Sequence, residues 1–179
     1  NTAGVYTVDL ADFERKLTEE HVKVFLLCSP HNPVGRVWRR EELAAMLELC
    51  RVHGVYVISD EIHHDFTHGG HKHIPAATVG EYDDMLVTLT APSKTFNLAG
   101  LKNSVVIIPD EKLRKAWDSY TGKLHTATGG SFGVIAAQAA WEGGRPWLEQ
   151  VLQTVEGNYE LLRTELVPRK PELILSPLE

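Results

Sequence analysis

The sequence predicts an α/β fold built on a mostly parallel, buried sheet. Four short runs are rich in Val, Ile or Leu and are near-continuous rather than alternating, at residues 22–28, 55–59, 85–89 and 104–108. Such runs are typical of strands covered on both faces, as in parallel sheets. Segments with helical spacing lie between or after these runs. Together the two patterns predict about four strands with flanking helices.

The connections predict how the strands run. Between the first two runs, residues 41–50 have helical spacing and are followed by Gly54, a residue that commonly ends helices. Only residues 93–102 separate the third and fourth runs. A parallel crossover usually needs a dozen or more residues. We therefore expect three parallel strands, with the last strand antiparallel to the third.

Three helical segments follow the last strand. They cover residues 111–120, residues 132–141 and a longer stretch that Pro146 opens. A long amphipathic helix of this kind often links two domains. We expect residues 1–145 to be part of a large domain, and residues 146–179 to be the linking helix and the start of a smaller domain.

Composition limits the possible functions. The 179-residue chain is 43% hydrophobic and has a formal net charge of -6, with its 18 Lys and Arg scattered rather than in a basic stripe. Nucleic acid is therefore an improbable partner, and no apolar run approaches the ~20 residues of a membrane span. The only cysteines, Cys28 and Cys50, predict no disulfide framework. We expect a cytoplasmic protein.

Lys94 directly follows the third predicted strand, within the run APSKTFNLAGL at residues 91–101. Its amine would lie at the carboxyl end of a buried strand, where open α/β sheets bind ligands. Small and apolar neighbours would leave this lysine poorly solvated, which favours the neutral amine that forms Schiff bases. Taken alone, the run favours the alternative, a solvated surface lysine, and only the two motifs upstream reverse that preference.

Two further motifs follow the first and second predicted strands. Asn32 lies in CSPHNPVGRVW, whose prolines and glycine form a turn, and the Asn32–Pro33 bond is a candidate for cis geometry. Asp60 lies in SDEIHHDF, where an aspartate leaving an apolar strand needs a donor or a cation. The alternatives are an ordinary turn for Asn32 and a local backbone cap for Asp60.

Asn32, Asp60 and Lys94 therefore follow three successive strands and would share one rim of the sheet. They offer an amide for a phenolic oxygen, a carboxylate for a protonated ring nitrogen and an amine for an aldehyde. These match the polar groups of pyridoxal 5'-phosphate (PLP) other than its phosphate. The sequence thus predicts a PLP site.

The runs HNPVGR, SDEIH and SKTFNLAGL resemble those of the fold-type I, class I/II aminotransferase superfamily, and most closely those of its cystathionine β-lyase-like carbon–sulfur lyases. The resemblance implies that Lys94 binds the cofactor aldehyde and shuttles the Cα proton. It implies that Asp60 keeps the pyridine nitrogen protonated and that Asn32 hydrogen-bonds the phenolic oxygen. Relatives are longer, so it also implies a central fragment without activity of its own.

The resemblance assigns three more residues. His63 falls where transaminases carry a tyrosine near the phenolic oxygen, which favours the lyase branch. Ser93 would contact the phosphate, and Lys102 takes the place of a phosphate-binding arginine without its bidentate fork. The implied parent is a homodimeric PLP-dependent lyase that converts a sulfur amino acid to thiol, pyruvate and ammonia. An aminotransferase is the alternative.

A different functional class is also open. The histidines and acidic residues between Asp60 and His73 could be read as a metal site, although their spacing matches no strong zinc pattern. We expect a solvated loop and no native metal. The alternative is an inert structural domain that binds metal through this loop. Uncovered sheet edges would favour self-association in either case.

Overall fold

The computed structural model describes residues 4–125 and 130–179. Its strands are β1 (Val24–Cys28), β2 (Tyr56–Asp60), β3 (Leu86–Thr90) and β4 (Val105–Ile107). Its α-helices are α1 (Leu10–Glu19), α2 (Arg40–Val52), α3 (Glu111–Leu124), α4 (Ser131–Gly143) and α5 (Arg145–Leu161). The chain after α5 continues as a π-helical turn at Leu162–Leu166 and a 3-10 turn at Val167–Arg169.

The four strands form one sheet in the order β1-β2-β3-β4. The first three are parallel and β4 is antiparallel to β3, with Thr88 opposite Ile107. The link between β3 and β4 holds only a short 3-10 turn, Ala99–Leu101, as its length predicted. The α/β class and the reversed fourth strand are therefore confirmed.

The main core lies between the sheet and helix α2. Leu43, Leu47 and Cys50 of α2 are fully buried, and Val57 of β2 packs in the same cluster. Helix α1 is an element that the sequence did not predict. Its apolar face packs on the core through the buried Leu17 and the partly buried Phe13, and five of its ten residues are charged.

The expectation that the strands are covered on both faces is wrong for β1 and β2. Leu26 is 72% exposed, and Val24 and Tyr56 are close to half exposed. In each strand these residues alternate with buried or partly buried ones, so one face of the sheet packs on the core. No described residue covers the opposite face at Leu26.

No helix in the described part of the chain is long and apolar enough to cross a membrane. Both cysteines are free thiols. Cys50 is fully buried in the α2 core, and burial raises the pKa of its thiol to about 11. Cys28 is only partly buried at the end of β1.

Candidate active site

The carboxyl ends of the three parallel strands lie along one edge of the sheet. Cys28 of β1 pairs with Asp60 of β2, and Asp60 pairs with Leu89 of β3. Two backbone hydrogen bonds continue this alignment beyond β1 and β2. Ser29 N donates to Asp60 O over 2.9 Å, and Glu61 N donates to Leu89 O over 2.8 Å. The loops that follow β1, β2 and β3 therefore start side by side, as predicted.

Asn32 lies exposed at the tip of the loop after β1. The Asn32–Pro33 peptide bond is cis, as the sequence suggested, and the Ser29–Pro30 bond is cis as well. His31 N donates to Arg36 O over 2.7 Å, which closes the loop as a small antiparallel bridge. The Asn32 amide makes no hydrogen bond to the described residues, so it is free to meet a ligand.

Arg36 anchors the base of this loop, a role that sequence reasoning missed. Its guanidinium is buried and lies 2.7 Å from each carboxylate oxygen of Glu42 and 2.8 Å from Glu179 Oε2. Burial alone would raise the pKa of Glu42, but the Arg39 backbone N–H and the Arg36 guanidinium outweigh burial and lower it. The Asn32 loop is thus tied to the start of α2 and to the last residue of the chain.

Asp60 lies exposed to solvent at the end of β2. Its Oδ1 accepts a hydrogen bond from Ile62 N over 3.1 Å, which is the local backbone contact considered as an alternative. Its Oδ2 accepts no hydrogen bond from the described residues. One carboxylate oxygen is therefore free to accept a donor from a ligand.

Glu61, the next residue, is the buried carboxylate of this region. It accepts hydrogen bonds from Ser59 Oγ and Ala76 N, each over 2.9 Å, and its Oε2 lies 2.8 Å from His73 Nε2. Burial raises the pKa of Glu61, but the contact with His73 and the other donors outweigh burial and leave that pKa lowered. Within residues 4–125 and 130–179, no group of three or more His, Cys, Asp or Glu could hold a metal ion.

His63 is partly buried in the loop after β2. Burial is the main cause that lowers the pKa of its imidazole. The positive charge of Lys94 lowers that pKa further, whereas the negative charge of Asp60 raises it. The His63 ring therefore lies within electrostatic range of both the Lys94 and the Asp60 side chains.

Lys94 is exposed, so the expectation of a poorly solvated amine is wrong for this chain. Its Nζ has no hydrogen-bond or ion-pair partner among the described residues. The turn that carries it is well ordered, because Phe96 N donates to Pro92 O over 2.9 Å and Leu98 N to Ser93 O over 3.0 Å. The structure thus presents a free amine on a fixed backbone.

The two candidate phosphate contacts are less closely tied to the site. Ser93 is partly buried beside Lys94, and Lys102 is exposed in a left-handed conformation at φ 50° after the 3-10 turn. In the described part of the chain, no hydrogen bond or ion pair joins either side chain to Asn32, Asp60 or Lys94. Their assignment stays a prediction.

A cavity of about 310 Å³ opens beside the rim. Asn32 and His63 both line it, whereas Asp60 and Lys94 lie outside its lining. The remaining walls come from the loop after β1, the loop after β2, helix α5 and the last two residues of the chain. Of the three side chains with free polar groups, only Asn32 therefore borders this concave, largely apolar space.

The sequence profile of the family "Aminotransferase class I and II" matches residues 2–175. The chain therefore belongs to the family of class I and II aminotransferases. Among its relatives, the cystathionine beta-lyase PatB of Bacillus subtilis (strain 168) is 44% identical over 168 residues, which are 91% of this chain and 43% of PatB. The aspartate aminotransferase of Geobacillus stearothermophilus is 30% identical over 91% of this chain and 43% of its own length.

A solved structure extends the likeness to the fold. The PLP-bound C-S lyase of Staphylococcus hominis superposes with a TM-score of 0.85 at 37% identity, over 93% of this chain and 42% of the lyase. This chain thus spans less than half the length of the relatives that it matches.

Proposed function

We propose that this chain is part of a PLP-dependent carbon–sulfur β-lyase, which converts a small sulfur amino acid to thiol, pyruvate and ammonia. The observation that carries the proposal is the rim itself. Asn32, Asp60 and Lys94 follow three aligned strand ends, and His63 is in electrostatic range of two of them. PatB and the Staphylococcus hominis enzyme, both named as lyases, support the choice of reaction.

The residues present fit PLP. The Asn32 amide, one Asp60 carboxylate oxygen and the Lys94 amine have no partners among the described residues, and all three side chains are exposed. A hydrogen-bond donor for a phenolic oxygen, an anion for a ring N–H and an amine for an aldehyde are thus available on one rim. When bound, PLP supplies an electron-withdrawing ring that stabilises negative charge at the substrate Cα.

Each residue then has a definite task. Lys94 Nζ would bind the aldehyde carbon covalently and, once a substrate amine has displaced it, would move the Cα proton. Asp60 would keep a proton on the ring nitrogen, and Asn32 would donate to the phenolic oxygen. His63 would lie close to that oxygen, with Ser93 and Lys102 directed to the phosphate.

Reductive trapping tests the cofactor assignment directly. The chain is incubated with PLP, reduced with borohydride and digested, and the labelled peptide is identified by mass spectrometry. We expect the label at Lys94 and its loss in Lys94→Ala. Lys112→Ala, which removes an exposed lysine from α3, is the matched control and should keep the Lys94 label. Label spread evenly over the lysines would contradict the proposal.

An aminotransferase is the second candidate, favoured by the family match and by the Geobacillus stearothermophilus relative. The two reactions differ in their need for an acceptor. A protein that contains this chain and spans the full length of its relatives is assayed with sulfur amino acids, with and without a keto acid. Pyruvate release without acceptor supports the lyase, and turnover that requires the keto acid supports the aminotransferase.

We also propose that the chain self-associates. Leu26 is 72% exposed on the sheet, and Phe132 and Ile135 of α4 are 81% and 65% exposed. Apolar side chains of this size that remain in water favour association. Light scattering coupled to size-exclusion chromatography should give a mass above 20.0 kDa, and a monomer at high concentration would contradict this. We further propose that residues 1–145 belong to a large domain and that residues 146–179 form the linking helix and the start of a smaller one.

A further inference from the structure

Thr95, the residue after Lys94, is held much more firmly than Lys94. It is 1% exposed, and its Oγ1 donates to Asp65 Oδ2 over 2.8 Å. Its carbonyl oxygen accepts a hydrogen bond from Trp147 Nε1 of α5 over 3.2 Å. The hydroxyl and the carbonyl oxygen of Thr95 are therefore both hydrogen-bonded to residues distant in sequence. The position of the Lys94 backbone is set by its neighbour.

Asp65 belongs to the loop that starts at Asp60. Four residues lie between the two aspartates, and His63 is one of them. The start of this loop is fixed, because the buried Glu61 carboxylate is held by three hydrogen-bond partners. The hydrogen bond between Thr95 and Asp65 thus joins the turn that carries Lys94 to the loop that carries Asp60 and His63.

The hydrogen bond between Thr95 and Asp65 is of a kind that holds two loops together firmly. A hydrogen bond to a carboxylate is stronger than one between neutral groups. When a buried hydroxyl loses its acceptor, no hydrogen bond offsets the free-energy cost of removing that hydroxyl from water. The same Asp65 oxygen lies 3.3 Å from His64 Nε2, so a neighbour in the loop also contacts it. Displacing a reacting group by about 1 Å can cost about a hundredfold in rate.

We propose that Asp65 is a positioning residue, which through the Thr95 hydroxyl fixes the distance between Lys94 and the Asp60–His63 loop. The proposal rests on the proposed function of Lys94 as the PLP-binding amine. Asp65 acts only through Thr95 and touches no reacting atom. Neither residue belongs to the predicted PLP site.

Matched variants separate the effect of the Thr95 hydroxyl from the effect of side-chain shape. Thr95→Val keeps the shape and removes the donor, whereas Thr95→Ser keeps the donor. Asp65→Ala removes the acceptor, and Asp65→Asn keeps an acceptor without its charge. Thr121→Val is the control, because Thr121 is also a buried threonine and, among the described residues, its hydroxyl donates only to carbonyl oxygens of its own helix, α3.

The first measurement needs no cofactor. Amide hydrogen exchange is followed at Phe96 and Leu98, whose hydrogen bonds close the Lys94 turn. We expect exchange about tenfold faster in Thr95→Val and Asp65→Ala, and a smaller increase in Asp65→Asn. Thr95→Ser and Thr121→Val should match the unmodified chain. Unchanged exchange in both Thr95→Val and Asp65→Ala would overturn the proposal.

The second measurement is the PLP and borohydride label at Lys94. We expect about tenfold less label in Thr95→Val, recovery in Thr95→Ser, and unchanged labelling of other lysines. Faster exchange with undiminished Lys94 label would overturn the positioning role, as would a Thr95→Ser variant as poor as Thr95→Val. If the unmodified chain gave no Lys94 label, the proposed function would fail. The exchange rates would then still support or overturn the anchoring of the turn by Asp65.

Discussion

The segment from α1 to β3 and the segment from α3 to α5 bury their side chains to very different extents. In the first, Leu43, Leu47 and Val57 have no exposed surface. Among the described residues of α3, α4 and α5, only Thr121, Gly133 and Ala137 are buried. Helices gain most of their stability from packing an apolar face. The first segment therefore contains the folding core.

The second segment makes contacts that bear on the candidate site instead. Trp147 donates to the carbonyl of Thr95, next to Lys94, and Glu156 lies 3.2 Å from His68 in the loop after β2. Both α5 residues thus hold loops of the rim. The difference teaches that α5 contributes contacts to the rim while burying almost nothing itself, and substitutions can test whether its contribution is confined to the rim.

The largest effect is expected in the core. Leu47→Ala should lower the free energy of unfolding by about 2–5 kcal/mol, because it removes a fully buried side chain and leaves a cavity. Phe132→Ala, in the exposed part of α4, should change it by about 0.5 kcal/mol or less. Urea unfolding at an unchanged m-value measures both. Equal losses would show that α4 packs as tightly as α2.

A smaller effect is expected at the buried carboxylate of the loop after β2. Glu61→Gln removes the negative charge to which three hydrogen-bond partners are bound. Hydrogen bonds to charged groups contribute about 1.5–3 kcal/mol, so we expect the free energy of unfolding to fall by about that amount. Glu160→Gln is the control on α5, where Glu160 forms an exposed ion pair with Arg163 and its loss should leave the unfolding midpoint unchanged. If Glu61→Gln left the free energy of unfolding as unchanged as Glu160→Gln does, the predicted difference between the two sites would be contradicted.

The same carboxylate predicts a pH dependence. Because the pKa of Glu61 is lowered in the folded state, its contribution to stability is complete above the unfolded-state pKa. That contribution is lost as the pH falls through the folded-state pKa. Unfolding measured across the acidic range should therefore show a steeper loss in the unmodified chain than in Glu61→Gln. Parallel curves would argue against this assignment.

Local patterns were sufficient to predict most of the fold. Near-continuous apolar runs predicted all four strands, and the short link before residues 104–108 predicted that β4 runs antiparallel. Helix α1 was missed although Phe13 and Leu17 recur at helical spacing and pack on the core, because the helix has only ten residues and half of them are charged. The exposed face at Leu26 was missed because apolar character favours burial without specifying what covers the residue.

The candidate site also has features that the sequence predicts and features that it does not. Asn32, Asp60 and Lys94 could be predicted as neighbours, since parallel order alone brings the ends of their strands to one edge. Their solvation could not be predicted, because it depends on residues far away in sequence. The anchoring contacts were missed for that reason: the Glu61 and His73 pair spans 12 residues, and the Asp65 and Thr95 pair spans 30.

The smallest effect is expected where α5 meets the rim. Trp147→Phe removes one neutral hydrogen bond to Thr95 O, worth about 1 kcal/mol or less, and leaves most of the ring in place. Trp141→Phe is the control, since the Trp141 indole has no hydrogen-bond partner in the described part of the chain. Amide exchange should quicken at Phe96 in Trp147→Phe only, while the core amide of Val57 stays unchanged in both variants. Acceleration at Val57 would mean that α5 supports the core as well as the rim, and the separation between the two segments would then be lost.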